Sequence, residues 1–285
     1  MLWKHTDYRP NGRSHTVRKR RLVVSMVCTL ANYGEAPNAL FFYLNFFYLK
    51  INYFRSIPEY IWNYYFYQDG SIDFEIRLTG ILQIYVSKDK EPTPYGVNVA
   101  PNLNAQYHQH MFSIRIDPMI DGLKNSVIET DVISLPNAPT GSAANYAGNA
   151  FLTQESVIKK EAGRAYDYDK ERRWRIINSE RKHYSSGHAV GYTLGVKGGA
   201  TPMMVRPDSW VGRRASFLRN TVWVCRDVEA EDSGTLRMWP AGKYVPQTRE
   251  EPKDSVGSWV EGGQSVENED VLVYLTIGKS CYNLV

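Results

Sequence analysis

Apolar and polar positions alternate along most of this chain with a period near two, the spacing of half-buried β-strands. The clearest stretch is EYIWNYYFYQDGSIDFEIRLTGIL, from Glu59 to Leu82, which alternates on both sides of Gln68-Asp69-Gly70. Asp-Gly between two aromatic and β-branched runs predicts a hairpin. Before it, Leu22 to Leu30 (LVVSMVCTL) is continuously apolar and predicts a buried strand that delivers Ala31-Asn32-Tyr33 at its end. Met111, Phe112, Ile114 and Ile116 predict a strand opened by His108 and His110 and closed by Asp117-Pro118-Met119-Ile120-Asp121-Gly122. Further strands are expected over Asn125 to Ser134, Phe151 to Lys160, Arg173 to Ile177, Ala189 to Val196, Val222 to Arg226 and Val271 to Ile277. Between them, residues 86 to 106 read as a polar loop, because Pro92, Pro94 and Pro101 oppose regular strand pairing. Pro136 to Ala150 reads as a flexible Gly/Ala/Asn/Pro linker and residues 240 to 257 as a charged loop. Only Val205 to Arg219, with Asp208 or Ser209 as N-cap, predicts a short helix. Short strands at this spacing with almost no helical period indicate an all-β protein, a large sandwich of antiparallel sheets.

Two segments break the pattern. Residues 3 to 21 are polar and basic, with a turn signal at Arg9-Pro10-Asn11-Gly12 and a cluster at Arg18-Lys19-Arg20-Arg21. Four clustered cations without interleaved stacking aromatics are more often a solvated strand entry or interface arm than a nucleic-acid site. Residues 34 to 58 are dense in Phe, Tyr, Leu and Ile. The apolar run from Ala39 to Phe54 is shorter than the roughly 20 residues of a bilayer span, and Lys50 lies within it, so no membrane association is expected.

Composition supports the β reading: among 285 residues, twenty Tyr, ten Phe and seven Trp favour strands over helices. The formal net charge of +4 is small for this length, which together with the lone basic cluster argues against a nucleic-acid partner. Cys28, Cys225 and Cys281 are odd in number and widely spaced, so they form neither a disulfide framework nor a recognisable metal pattern. The N-terminus lacks the charged-then-apolar order of a signal peptide, and a soluble protein of open compartment is expected.

The chemistry that stands out is His108-Gln109-His110, which holds two of the six histidines. On a strand, side chains two apart leave the same face, so both imidazoles can reach one ion. Imidazole suits copper, zinc, iron or nickel, but two ligands do not close a site, and a bare His-x-His is more often a surface or core pair.

Taken together and in order, WKHTDYRPNGRSHTVRKRRLVV, the strand ending in Asn32-Tyr33, the Glu59 to Leu82 hairpin, HQHMF, RIDPMIDG and VENEDVLVYLTIG resemble the C-terminal catalytic β-sandwich of copper-containing amine oxidases, most closely the fungal type. The resemblance covers nearly the whole chain outside 34 to 58 and 279 to 285, which read as a non-family insert and a divergent tail of one partial catalytic domain. It implies oxidative deamination of primary amines to aldehyde, ammonia and hydrogen peroxide, using copper and topaquinone, in a homodimer. The family's motif is Asn-Tyr-Glu/Asp-Tyr, whose first tyrosine becomes the quinone. Asn32 and Tyr33 match its first half and Glu59 and Tyr60 its second, which makes Tyr33 the topaquinone precursor and splits the motif around the insert. Asn52-Tyr53 and Asn63-Tyr64 lack the upstream strand and the following acid-Tyr pair. His108 and His110 match two copper ligands, and Asp117 an acidic ligand of a second, peripheral divalent cation.

The resemblance also marks departures. It puts a proton-abstracting Asp and a gating Tyr further upstream of the motif than the 32 residues that precede Tyr33. Its third copper histidine is expected in a Thr-x-Gly-x-x-His continuation, where this chain reads Thr276-Ile277-Gly278-Lys279-Ser280-Cys281. Cys281 can donate sulfur in principle, but no motif supports it. His183 and His188 match nothing and are expected to be exposed. Codons for Gly278-Lys279-Ser280, for Gly34 and for Pro58-Glu59 can contain splice signals, so translation of retained introns would account for both the insert and the tail. As it stands, the chain is expected to turn over poorly or not at all.

Overall fold

The computed structural model describes residues 2–29, 59–79, 82, 84–89, 91–135, 137–196, 198–228, 237–242 and 249–282. Asn32, Tyr33 and the apolar run from Ala39 to Phe54 lie outside them. The chain divides into two compact units, residues 1–106 and 107–285.

In the first unit, β1 (Leu2–Thr6) and β2 (Ser14–Arg18) form an antiparallel hairpin. Its turn is the Arg9 to Gly12 signal: the Gly12 amide donates to the Arg9 carbonyl at 2.8 Å, and Asn11 takes φ 65°. β3 (Arg21–Thr29), β4 (Glu59–Tyr67) and β5 (Ile72–Thr79) form a sheet in that order. The Asp69-Gly70 turn joins β4 to β5 as expected, with Gly70 at φ 81°. β3 is a strand as expected, but not a buried one. Leu22, Val23, Met26 and Val27 are 65%, 44%, 56% and 62% exposed, so among the described residues neither face of β3 is covered by another layer. Two cations of the basic cluster lie on β4 aromatic rings, Lys19 4.2 Å from the Tyr67 centroid and Arg21 3.8 Å from that of Tyr65.

The loop expected at 86 to 106 is in fact part of a small sheet. β6 (Ile84–Val86), β7 (Gly96–Ala100) and β8 (Leu103–Gln106) pair in the order β6-β8-β7. The prolines do not prevent it because none occupies a strand: Pro92 and Pro94 precede β7, and Pro101 sits in the β7–β8 turn beside Asn102 at φ 57°.

The second unit is built on two four-stranded antiparallel sheets. One has the order β11 (Phe151–Ile158), β10 (Ser126–Ser134), β13 (Arg173–Lys182), β14 (Ala189–Leu194). The other has the order β12 (Ala162–Arg164), β15 (Val222–Arg226), β16 (Val271–Cys281), β9 (His108–Ile116). Strand alternation explains their packing. Val222, Val224, Val271 and Val273 point into a core shared with Val127, Ile158, Trp174 and Ile176 of the first sheet, which makes a sandwich. Trp223, Cys225, Leu272 and Tyr274 point the other way, into a second core closed by Val256, Phe217 and Trp259. β15 and β16 are therefore covered on both faces, which is why they read as unbroken apolar runs.

The expected helix at 205–219 is shorter, α1 (Trp210–Arg214) followed by a 3-10 turn at Ser216–Arg219. Its N-cap is Ser209, whose Oγ accepts from the Gly212 amide at 3.0 Å, while Asp208 pairs with Arg206 instead. The charged loop at 240–257 ends in a second short helix, α2 (Val256–Trp259). Residues 137–150 are not a flexible linker. Buried Asn145 donates to the Ala138 carbonyl at 2.8 Å and accepts from the Ala150 amide at 3.0 Å, which fixes the segment. Among the described residues no helix is long and apolar enough to cross a membrane.

Candidate metal and cofactor site

β9 sits at the edge of its sheet and pairs antiparallel with β16 through Lys279↔His110, Ser280↔Gln109 and Cys281↔His108. Alternation puts both imidazoles on one face, and their Nε2 atoms come to 3.0 Å with the rings edge to face at 74°. The intervening Gln109 points to the opposite face and is held there. Its amide donates to the Ser280 Oγ and the Pro202 carbonyl, both at 2.9 Å, and it accepts from the Met204 amide at 2.8 Å. These three bonds fix the backbone between the two histidines, so the imidazoles are presented together by a clamped strand. Burial, and then the charge of the neighbouring His108, hold the His110 imidazole below its ordinary range. Its neutral, ligating form is therefore favoured at neutral pH.

β16 runs four residues past the expected end at Ile277, to Cys281. The Thr201 hydroxyl donates to the Gly278 carbonyl at 2.6 Å, and the Gly278 amide donates to the Gly199 carbonyl at 2.9 Å, so the extension is anchored from its outer side. Only glycine fits there: a Cβ at 278 would lie 2.4 Å from the Met111 Sδ and 2.8 Å from the His110 carbonyl oxygen. The extension brings Cys281 opposite His108, and one donor atom from each of His108, His110 and Cys281 lies within 4.8 Å of the others. Cys281 is thus the residue that sequence reasoning left unsupported. Its signal was present, since it fills the histidine position of the Thr-x-Gly-x-x-His pattern. Two nitrogens bound to one tetrahedral ion stand about 3.3 Å apart, close to the observed pair, and an imidazole-thiol donor set suits copper or zinc. The residues present therefore fit a metal of this class.

Asp117 follows β9 directly. Its carboxylate, with those of Asp227 and Asp270, forms a second convergent group within 4.8 Å, two members of which sequence reasoning did not attach to it. Arg115 donates to Asp117 at 3.0 Å and approaches Asp227 at 3.9 Å, so a guanidinium already balances part of that charge.

The second half of the split motif is placed at the start of β4, where Glu59 is opposite Thr29 and Thr79, and Tyr60 opposite Cys28 and Leu78. The competitor Asn63-Tyr64 has a structural use: Asn63 is buried, accepts from the Ser25 hydroxyl at 2.6 Å and donates to Glu75 at 3.0 Å. His183 and His188 are exposed in the β13–β14 turn, where the His183 amide donates to the His188 carbonyl at 2.8 Å.

The family described as "Copper amine oxidase, enzyme domain" matches residues 1–42 and 42–280. Copper amine oxidase 1 of Schizosaccharomyces pombe is 37% identical over 284 residues, 98% of this chain and 35% of its own length. The peroxisomal primary amine oxidase of Pichia angusta is 35% identical over 283 residues, 98% of this chain and 36% of its own length. The solved copper-containing benzylamine oxidase of Hansenula polymorpha superposes with a TM-score of 0.77 at 28% identity, over 99% of this chain and 39% of that one. The chain thus spans about a third of the length of the curated relatives it matches. Copper and topaquinone are the cofactors of this family. With matching sequence along nearly its whole length, antiparallel sheets of the family's architecture and an imidazole pair presented from β9, the chain belongs to the copper amine oxidase family.

Proposed function

We propose that this chain is catalytic-domain sequence of a primary-amine oxidase, which converts a primary amine, dioxygen and water to an aldehyde, ammonia and hydrogen peroxide. The observation that carries the reading is the convergence of the His108 and His110 imidazoles on a family-matched strand. His108 and His110 would hold the copper, and Tyr33, flanked by Asn32 and by Glu59 and Tyr60 across the insert, would be the topaquinone precursor. When bound, copper with dioxygen supplies the oxidation of the tyrosine ring, and the resulting quinone supplies the electron sink for the amine. The chain's own contribution is to present the two imidazoles together, that of His110 in its neutral form. Gln109 does this by fixing the strand, and burial does it by disfavouring protonation of His110. Asp117, with Asp227 and Asp270, would hold a second, peripheral divalent cation. A homodimer is the assembly proposed.

A second reading, a noncatalytic β-sandwich that binds metal weakly or pairs with a full-length homologue, is favoured by one observation: the third donor of the cluster is a thiol, not an imidazole. The test is to give the purified chain copper and oxygen, then phenylhydrazine. A quinone adduct mapped to Tyr33 and absent from Tyr33→Phe is the expected result, with peroxide release from a primary amine. No adduct and no peroxide would leave the noncatalytic reading.

A further inference from the structure

The thiol at Cys281 changes the character of the site. In this polypeptide it is the residue on β16 directly opposite His108, and β16 is anchored up to it at Gly278 and Ser280. Its sulfur belongs to the same group within 4.8 Å as the two imidazole nitrogens. Cys225 is a poor alternative, because it is buried in the second core and its thiol is pushed up to about 12 by burial. We infer that Cys281 is the third metal ligand, so that the chain holds its ion in a two-imidazole, one-thiolate site that favours copper(I) over copper(II) more than three imidazoles would.

The physical reason is donor softness. A thiolate is a soft, strongly donating anion that binds zinc and copper(I) well, whereas an all-imidazole set accommodates copper(II) with open positions. The inference rests on the reading that His108 and His110 are a metal site, and deepens it by assigning the third donor and the favoured copper oxidation state.

The experiment uses the full chain carrying Cys28→Ser, with cobalt(II) as spectroscopic probe and zinc(II) as competitor under anaerobic conditions. The expected result is a near-ultraviolet sulfur-to-cobalt charge-transfer band that zinc abolishes. With zinc at about ten times its dissociation constant, iodoacetamide labelling of Cys281, mapped by peptide mass, should slow about tenfold, the ratio of total to metal-free chain. Cys281→His should still bind cobalt without the sulfur band and should favour copper(II) over copper(I) more than the parent chain does. His108→Ala should lose both the band and the protection. Cobalt bound with no sulfur band and undiminished labelling of Cys281 would overturn the inference while leaving the imidazole pair as a metal site. Failure of cobalt, zinc and copper to bind the folded chain at all would overturn both. Far-ultraviolet circular dichroism of each variant separates loss of a ligand from loss of the fold.

Discussion

Individual side chains in this protein are held by acceptors and donors that their strand positions dictate. Glu75 on β5 faces Tyr65 and Asn63 on β4, accepting from the Tyr65 hydroxyl at 2.6 Å and the Asn63 amide at 3.0 Å, with the Arg77 guanidinium at 3.1 Å. The Tyr65 hydrogen bond, followed by that of Arg77, lowers its carboxyl from 4.5 to about 2. A folded value below the ordinary one means that the contribution to stability is present above pH 4.5 and is lost as pH falls through about 2. Glu75→Gln should therefore be less stable than the parent at neutral pH, and its urea midpoint should fall less steeply over that acid interval. Equal slopes for the two proteins would show that Glu75 does not carry the acid limb. Buried Glu161 in the second unit has its hydrogen bonds met by the Arg226 amide at 3.0 Å, the Gln264 amide at 3.2 Å and the Arg237 guanidinium at 2.9 Å, which all donate to it. None of the Glu161 partners is visible in the sequence, because each lies more than sixty positions away along the chain.

At the scale of elements, the register of β3 with β4 bears on the split motif. The chain leaves β3 at Thr29 and enters β4 at Glu59, and these two residues are cross-strand partners. Removing residues 34–58 would leave residues 30–33, four positions, between paired strand ends. That is an ordinary hairpin connection, and it would restore Asn32-Tyr33-Glu59-Tyr60 as a continuous run. Deletion of 34–58 should thus give a folded protein of unchanged β content that forms the Tyr33 quinone adduct faster than the parent. An unfolded deletion variant would show that the segment belongs to the fold, and transcript sequencing across these codons would show whether the segment is expressed. The histidine pair is the other element-scale result. His-x-His on a strand was legible from the two-residue alternation, but the anchoring of Gln109 and the extension of β16 to Cys281 were not. They arise from contacts with Pro202, Met204, Thr201 and Gly199, none of which alternation alone could attach to this edge.

At the scale of the whole molecule, the second unit depends on the core its two sheets share. Trp174 is fully buried there, and its indole donates to Glu129 at 3.1 Å. Trp174→Ala should destabilise this unit by ~3–5 kcal/mol through the lost burial and the cavity left behind, measured as a lowered denaturant midpoint at unchanged m. A change below about 1 kcal/mol would mean that the two sheets do not share a single core there. The sequence by itself determined the all-β class, most strand positions, the Asp69-Gly70 hairpin, the family and the placement of His108 and His110 on one strand face, since each is written in local alternation, turn chemistry or a contiguous motif. Its errors were the burial assigned to β3, the loop assigned to 86–106 and the linker assigned to 136–150. Apolar content does not say whether a neighbour covers a strand, and prolines and glycines do not say whether the turns they make are pinned. Only the tertiary structure decided that Cys281 meets His108 and His110, and that Asp227 and Asp270 meet Asp117. The physical reason is the same in both cases: strand pairing joins residues more than a hundred positions apart, and no local property of the chain records that distance.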